Sequence, residues 1–238
     1  MTMKTDLQLA ACPLDAPATS RCEAEHPRKA APIALVRCKR TDPRYTEMRD
    51  RHYIPNKGCH GQQMHYFIML DGEHVGIISG ASAVWAVGTR DAFFGLTKAN
   101  RKAALPSIIN NVVFRLEVHQ PNLATQVLAL WRRTIAKDWE ARYGVKVAGF
   151  ETFVIEEPHR KGALYRADNW TFLGETTGRT KIHEKAAGLK AKTEWGDTSK
   201  KLIFAKKVKG AALSAEYHSA WRRDETARKL PKLQYGEA

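Results

Sequence analysis

Apolar and polar positions along this chain lay out a succession of strands and helices. IALVRC (33–38) alternates enough to be a first strand. TDPRYTEMRDRHYI follows as a helix, with Thr41 or Asp42 as its cap and Pro43 in its first turn. That helix delivers Arg51, His52 and Tyr53 to its C-terminal end. After a Gly-containing loop, NKGCHGQQ, the run MHYFIML reads as a continuous apolar strand. Asp71-Gly72 is a two-residue hairpin signal, and EHVGIISGASAVW is the partner strand. Residues 89–106 are mixed and basic. SIINNVVFRLEV (107–118), rich in β-branched residues, reads as a core strand. His119-Gln120-Pro121-Asn122 breaks the pattern. A long helix then carries Leu123, Val127, Leu130, Ile135 and Trp139 near one face, with Asn122 as cap and Gly144 as stop. VAGFETFVI is a buried strand, a short helix carries Tyr165, and TFLGETTG and KLIFAKKV (201–208) close the series as strands. The order is that of a mixed α/β sheet, strands and helices sharing one core.

Organisation beyond that core is uneven. Residues 1–32 contain Cys12-Pro13, Ala16-Pro17, His26-Pro27 and Ala31-Pro32 with little apolar periodicity, and read as an irregular N-terminal arm. Residues 33–208 form the core, and 209–238 a basic helical extension built on AALSAEYHSAWRRDETARKL. At 238 residues, with 43% hydrophobic and 27% charged positions, the chain suits one main domain with extensions. No run approaches the roughly 18 apolar residues of a membrane span. The N-terminus lacks the charged-then-apolar pattern of a secretory signal. Cys12, Cys22, Cys38 and Cys59 form no CxxC pair, which fits reduced thiols in a cytoplasm. Cys59, His60 and His65, with His52 nearby, do not have a standard zinc spacing. Whether a metal binds, and which, is left open by these residues.

Charge changes the picture more than composition does. Lys plus Arg exceed Asp plus Glu by 14, and the isoelectric point is about 9.7. Such a field draws in polyanions, of which nucleic acid is the commonest. Nucleic acid, double-stranded DNA included, is therefore the expected partner. Residues 181–238 alone hold 14 Lys plus Arg against 7 Asp plus Glu, which suits a grip on a DNA backbone or, more plainly, a solvated helix packed by Tyr217 and Trp221.

The run FETFVIEEPHRKGALYRADNWTFLGETTGR (150–179) carries a likeness of its own. ALYRADNWTFLGE resembles the closing segment of acyl-CoA-dependent N-acyltransferases, and the strand–Asp-Gly–strand pair resembles their central hairpin. The resemblance implies a GNAT-like core in which Tyr165 sits beside a leaving thiolate. It also implies that the strand before the long helix splays from its neighbour, and that the following turn holds the pyrophosphate of an acyl-CoA-like donor. The matching turn is HQPNLAT, where Asn122, Leu123, Ala124 and Thr125 offer N–H groups without the usual Gly-rich form. Over roughly 45–208 the chain is also similar to the DruA family, the small component of Druantia anti-phage systems, also found alone in mobile elements. The similarity rests on Asn110-Asn111 with Arg115, Pro121-Asn122-Leu123-Ala124, Glu151-Thr152-Phe153, and Tyr165-Arg166-Ala167 with Asn169-Trp170. More distantly it resembles the Mom family of phage proteins, which decorate the N6 amine of adenine in DNA with a carbamoylmethyl group. His52-Tyr53 matches an early His-Tyr pair of that family, and Glu156 stands near the place of an acid preceding its Tyr-Arg-Ala run.

That chemistry needs an extruded or unpaired base, held by aromatic rings and read by amides. Tyr53, Trp170, Asn110, Asn111 and Asn169 are of the right types. Asn110 and Asn111 alternate across a strand, so at most one faces a cleft. A carboxylate near the amine takes its proton, with Glu151 and Glu156 as candidates. Glu151 on a buried strand equally suits a structural ion pair with Arg115 or Arg166, which are themselves candidate substrate contacts. Tyr165 protonates a leaving group or orients the donor, or caps the core with its ring. His52 serves as a base or metal ligand, or complements a helix dipole. Three functions follow: a DNA adenine-modifying transferase, a non-enzymatic DNA-binding factor of a defence or mobile element, and an N-acyltransferase acting on protein or small amines.

Overall fold

The computed structural model describes residues 32–54, 61–158, 160–177 and 199–215, with the backbone of 181–184 and 192–195 between them. Residues 1–31 of the N-terminal arm and 216–238 of the expected helical extension lie outside these residues; 209–215, where that extension was expected to begin, are turn and coil rather than helix. A seven-stranded mixed sheet runs in the order β1-β2-β3-β4-β5-β9-β6. Its strands are β1 (Ile33–Cys38), β2 (Gln63–Leu70), β3 (Glu73–Ser82), β4 (Ile108–Leu116), β5 (Gly149–Ile155), β6 (Thr171–Glu175) and β9 (Lys201–Lys207). Between β6 and β9 a two-stranded ribbon, β7 (Lys181–Glu184) with β8 (Lys192–Trp195), stands apart, and the sequence pattern did not reveal it.

Local chemistry explains the early elements. Asp42 caps α1 (Pro43–Asp50), its Oδ1 accepting the Arg44 N–H at 3.0 Å, and Pro43 opens the helix where its missing N–H costs nothing. β2 and β3 join through Asp71 (φ 53°) and Gly72 (φ 84°), the positive φ pair of a tight hairpin. β3 ends at Ser82, short of the expected Trp85. The chain then forms α2 (Gly88–Phe94), α3 (Arg101–Ala104) and a single 3₁₀ turn before β4, all within the stretch the pattern left unassigned.

One sheet face is covered by α4 (Leu123–Tyr143), whose Val127, Trp131, Ile135 and Trp139 are fully buried at i, i+4 spacing, with Leu128 beside them. Leu130 is only half-buried; at about 100° per residue it falls off the stripe that Leu128 and Trp131 occupy. Gly144 ends the helix as expected, but Asn122 does not cap it. Asn122 adopts φ 61° and its side chain makes no cap bond. The opposite face carries α1, through Tyr45 and Met48, and α2, through Phe94.

Only β4 and β5 run parallel, as the α4 crossover between them requires. They pair from Ile108/Gly149 to Asn111/Thr152 and no further, although both strands continue. The splay expected before the long helix is therefore present. On its other side β4 is bulged: Gly80 faces Asn111 and Ser79 faces Val113, leaving Val112 extra. The Asn111 amide bridges this irregularity, donating to Ser79 O (3.1 Å) and Val113 O (3.3 Å).

Packing of α4 on the sheet leaves no room at Gly80, where a Cβ would lie 2.4 Å from Ile135 Cδ1 and 2.7 Å from Ile109 Cγ2. Gly80→Ala is expected to cost about 1–3 kcal/mol in urea unfolding, and Ile135→Val in the same chain to restore part of it.

Candidate active site at the strand splay

Tyr165 closes the angle between β4 and β5. It lies on the short helix α5 (Ala163–Ala167), and its hydroxyl donates to Asn111 Oδ1 at 2.8 Å. Thr152 Oγ1, which donates to Asn111 O at 3.0 Å, lies 3.4 Å from the same hydroxyl. The phenol thus bonds across the last rung the two strands share. Its ring stacks on Phe204 (centroids 5.7 Å) and meets Trp170 edge-on (5.1 Å). Desolvation holds its pKa well above the ordinary tyrosine value, with Tyr53 adding to the rise, so the hydroxyl stays protonated.

The position of α5 is fixed from both ends. Gly162 opens it at φ 71°, with Phe204 where a Cβ would stand. Behind it, Asp168 takes a bidentate pair from Arg132 of α4 (2.7 and 2.8 Å) and the indole N–H of Trp170 (2.7 Å). Trp170 is therefore core rather than a base platform: it is buried and bonded to Asp168. Asn169 is exposed at φ 58° and turns the chain into β6. Arg166 is exposed, its guanidinium over Phe172 and Phe204. Neither residue faces the splay.

From the other side, the end of α1 brings His52 and Tyr53 to the same place. Arg115, at the end of β4, anchors them: it donates to the Arg51 carbonyl and to Glu117 Oε1 (2.7 Å). Its guanidinium is engaged in positioning the segment. The His52 and Tyr53 rings lie 4.5 Å apart, and Arg160, paired with Glu157 at 2.8 Å, sits 3.6 Å over the Tyr53 ring. Burial first, then Arg115 and Arg160, lower the His52 pKa, so its imidazole is neutral near pH 7. Burial raises that of Tyr53. Glu156, one residue before Glu157, is exposed past the end of β5. The acid beside Tyr53 is Glu157, which the sequence reading passed over together with Arg160 and Thr152.

A groove of about 460 Å³ lies between the diverging end of β4 and the start of α4, lined by Phe114, Leu116 and Val118 of that strand, Leu164 of α5, and Leu123 and Ala124. Leu123 N–H bonds to Gln120 O and Gln126 N–H to Asn122 O, while the Ala124 and Thr125 N–H groups have no internal acceptor among the described residues. The resemblance implied a donor site here, at Asn122, Leu123, Ala124 and Thr125; of these, Leu123 and Ala124 line the groove. The groove suits an apolar arm. Pro121 and Leu123 line its end at the start of α4, where a Gly-rich turn would present bare backbone.

Glu151 and Asn110 turn to the other sheet face. Glu151 is fully buried and paired with Arg90 of α2, a partner the sequence reading did not find; Arg115 and Arg166 are elsewhere. It also accepts the Val84 N–H at 2.8 Å, while Arg90 donates to the Val84 carbonyl and to Asp91 Oδ1 (2.8 Å). Arg101 completes the network at Asp91 Oδ2 (2.8 Å). Asn110 Oδ1 is buried beside it with no partner. Adjacency of Arg90 to Asp91 was the only available signal, and both read as surface charge. Among the described residues no cluster of three His, Cys, Asp or Glu could hold a metal; Cys59 and His60 lie outside them.

This arrangement belongs to a mixed-sheet protein whose cleft opens at one splayed strand pair. The chain belongs to the DruA family, matching the family of Druantia protein DruA over residues 21–210. A comparison with curated protein sequences found no match. Among solved structures it is similar to an acetyltransferase from Salmonella typhimurium that modifies the N-terminal serine of ribosomal protein L7/L12. Identity there is 14%, coverage 62% of this chain and 65% of that one, under two thirds of its length, and TM-score 0.39. It is also similar to a Bacillus subtilis acetyltransferase in complex with CoA (9% identity, 75% and 99% covered, TM-score 0.45) and to a GNAT family acetyltransferase from Elizabethkingia anophelis with acetyl-CoA bound (8%, 74% and 98%, 0.44).

Burial pushes the Glu151 carboxyl from 4.5 up to about 7, against the pull of Arg90. The folded state then holds a proton that the unfolded chain releases, so this group's contribution is full below about 4.5 and fades as pH rises through about 7. Urea unfolding across that range is expected to show the decline, and Glu151→Gln to flatten it. Arg90→Ala strands a buried carboxylate and is expected to cost about 3–5 kcal/mol.

Proposed function

We propose that this protein is a DNA-modifying transferase that adds a small carbamoylmethyl-like group to the N6 amine of adenine, with an acyl-CoA-like donor in the groove beside β4. The carrying observation is that Tyr165, at the β4–β5 splay, lies within electrostatic reach of Tyr53, whose ring meets that of His52, while Leu164 beside Tyr165 lines a groove leading to the start of α4. The net charge of +14 and the likeness to DNA-modifying proteins support nucleic acid as the substrate.

A bound donor would supply the activated carbon; Leu123, Ala124 and Leu164 would hold it, with the Ala124 and Thr125 N–H groups available to its phosphates. An extruded adenine enters between Tyr53 and the splay, where the face of the Tyr53 ring not taken by Arg160 stacks on the base. Neutral His52 accepts the amine proton through Nε2 when Nδ1–H is directed to the Ile54 carbonyl (3.5 Å), the tautomer opposed to the one in which Nδ1 accepts the Ile54 N–H (3.4 Å). Tyr165, which keeps its proton, would supply it to the leaving group as the N6–carbon bond forms and the donor's bond to that group breaks; a thioester carbonyl would leave an acyl group on N6, so a carbamoylmethyl product requires a donor activated at its methylene carbon. Glu157 and Arg160 hold Tyr53 in place.

A second reading, an accessory DNA-binding factor of a defence or mobile element, is favoured by one observation. The Tyr165 hydroxyl already bonds to Asn111 Oδ1, a role that needs no chemistry.

Mass spectrometry of nucleosides from DNA of cells expressing the chain separates the two. A new adenosine adduct is expected, and its mass identifies the group. Soluble protein with no adduct and salt-dependent DNA binding leaves the second reading. Tyr165→Phe is expected to lower adduct formation about 10²–10⁴-fold while the chain stays folded; modification at the full rate removes the tyrosine from the chemistry.

A further inference from the structure

Beyond the end of β3 the chain runs Ala83-Val84-Trp85-Ala86-Val87 before α2 begins. Val84, Trp85 and Ala86 are all exposed, Trp85 to 62% and Val84 to 43%. A single apolar side chain at a surface is ordinary, but consecutive ones are a liability unless something binds them. Among the described residues the large apolar side chains this open to solvent are Val84, Trp85 and Phe172, so two of the three stand side by side.

The loop is held from beneath. The Val84 N–H donates to Glu151 (2.8 Å) and its carbonyl accepts from Arg90, both partners being fully buried. At the other end the Val87 carbonyl accepts the Asp91 N–H (2.8 Å) as α2 starts. Trp85 and Ala86 are thus a two-residue span between fixed points, and their backbone has little left to order when a partner arrives. Glu151 and Arg90 lie on the α2 side of the sheet, so the indole is presented on the face opposite α4, α5 and the groove.

Charge around the loop limits what can lie on it. Residues 83–106 carry Arg90, Lys98, Arg101 and Lys102 against one acid, Asp91. Asp91 is buried and bonded to both Arg90 and Arg101, so this segment turns no carboxylate to solvent. Across the seven residues of α2, about 10 Å at 1.5 Å per residue, Lys207 Nζ stands 4.9 Å from the Phe93 ring. An indole with an open face and basic surroundings suits a ligand that joins a flat ring to a phosphate. A nucleotide strand has that form, and stacking tolerates any base because every base has a π-face. A base paired within a duplex has both faces taken by its neighbours, so the matching base is an unpaired one.

From the pinned, exposed indole and its acid-free surroundings we infer that the Val84–Val87 loop is a stacking platform for an unpaired base of a DNA strand, separate from the splay. The inference rests on nucleic acid being the partner, as in the proposed function, and does not need the splay to be catalytic.

The test is fluorescence-anisotropy titration of the full chain with a short oligothymidine strand and with an abasic strand of the same length. Both carry the same phosphates, and neither holds an adenine for the splay. Trp85→Ala is expected to bind oligothymidine about tenfold more weakly and the abasic strand less than about twofold more weakly. Trp85→Phe, which keeps a ring, is expected to fall between wild type and Trp85→Ala. If Trp85→Ala lowers the thermal transition, Trp85→Leu, apolar without a ring, carries the same expectation. Equal loss on both strands, loss on neither, or no binding of oligothymidine by the wild type overturns the platform. So does sedimentation showing a wild-type dimer that Trp85→Ala makes monomeric, because the loop then joins two copies of the chain. The adenosine adduct is read independently. An adduct with no base-dependent loss at Trp85 removes the platform alone, and base-dependent loss with no adduct removes the transferase reading alone.

Discussion

Two parallel strands that share only the Ile108–Asn111 register must be held apart by something, and here it is a phenol. Tyr165 bonds to Asn111 at the last common rung and lies beside Thr152, so the hydroxyl occupies the point where ladder hydrogen bonding stops. Its ring replaces lost strand contacts with stacking on Phe204 and Trp170. Much of the local design serves this placement. The Asp168–Arg132 pair ties α5 to α4, Gly162 lets the helix begin against Phe204, and the Asn111 amide reinforces the bulge next door. The cleft is thus built on the sheet itself, and only its outer wall, His52 and Tyr53, comes from a loop.

On the opposite face a buried ion pair does a comparable job. Glu151 and Arg90 are costly to desolvate, and apolar residues of similar volume often serve stability as well. What apolar residues cannot do is bind both backbone groups of Val84, one through Glu151 and one through Arg90. Those bonds fix where the chain leaves β3 and crosses the sheet toward α2. The pair therefore specifies topology more than it adds stability, and it explains why β3 stops at Ser82 while the hydrophobic pattern runs on to Trp85.

Long, periodic elements were legible in the sequence: the β2–β3 hairpin, the α4 stripe, and the short helix bearing Tyr165 each carried a signal spanning several residues. What was not legible depended on pairing across the sheet. Glu151 has many possible partners in a chain with 39 Lys plus Arg, and nothing local singles out Arg90. Asn122 looked like a cap because asparagine usually is one, yet its backbone is left-handed, which asparagine also tolerates. Trp170 and Asn169 sat in a run resembling a functional motif; the Trp170 indole bonds to Asp168 and meets Tyr165, and the Asn169 backbone turns the exit of α5 at φ 58°. Glu156 and Glu157 are neighbours in sequence. Only the bridge between Glu157 and Arg160 decides which one turns to Tyr53.

The distribution of charge separates two roles that the net figure merges. Around the splay the cations are engaged: Arg115 by Glu117, Arg160 by Glu157, Arg132 by Asp168. A cleft so compensated exerts little long-range pull of its own, and what enters it is chosen by ring faces and a few hydrogen bonds. Attraction of a polyanion must come from surfaces whose cations are not matched by acids, since only these keep their field at a Debye length of about 8–10 Å.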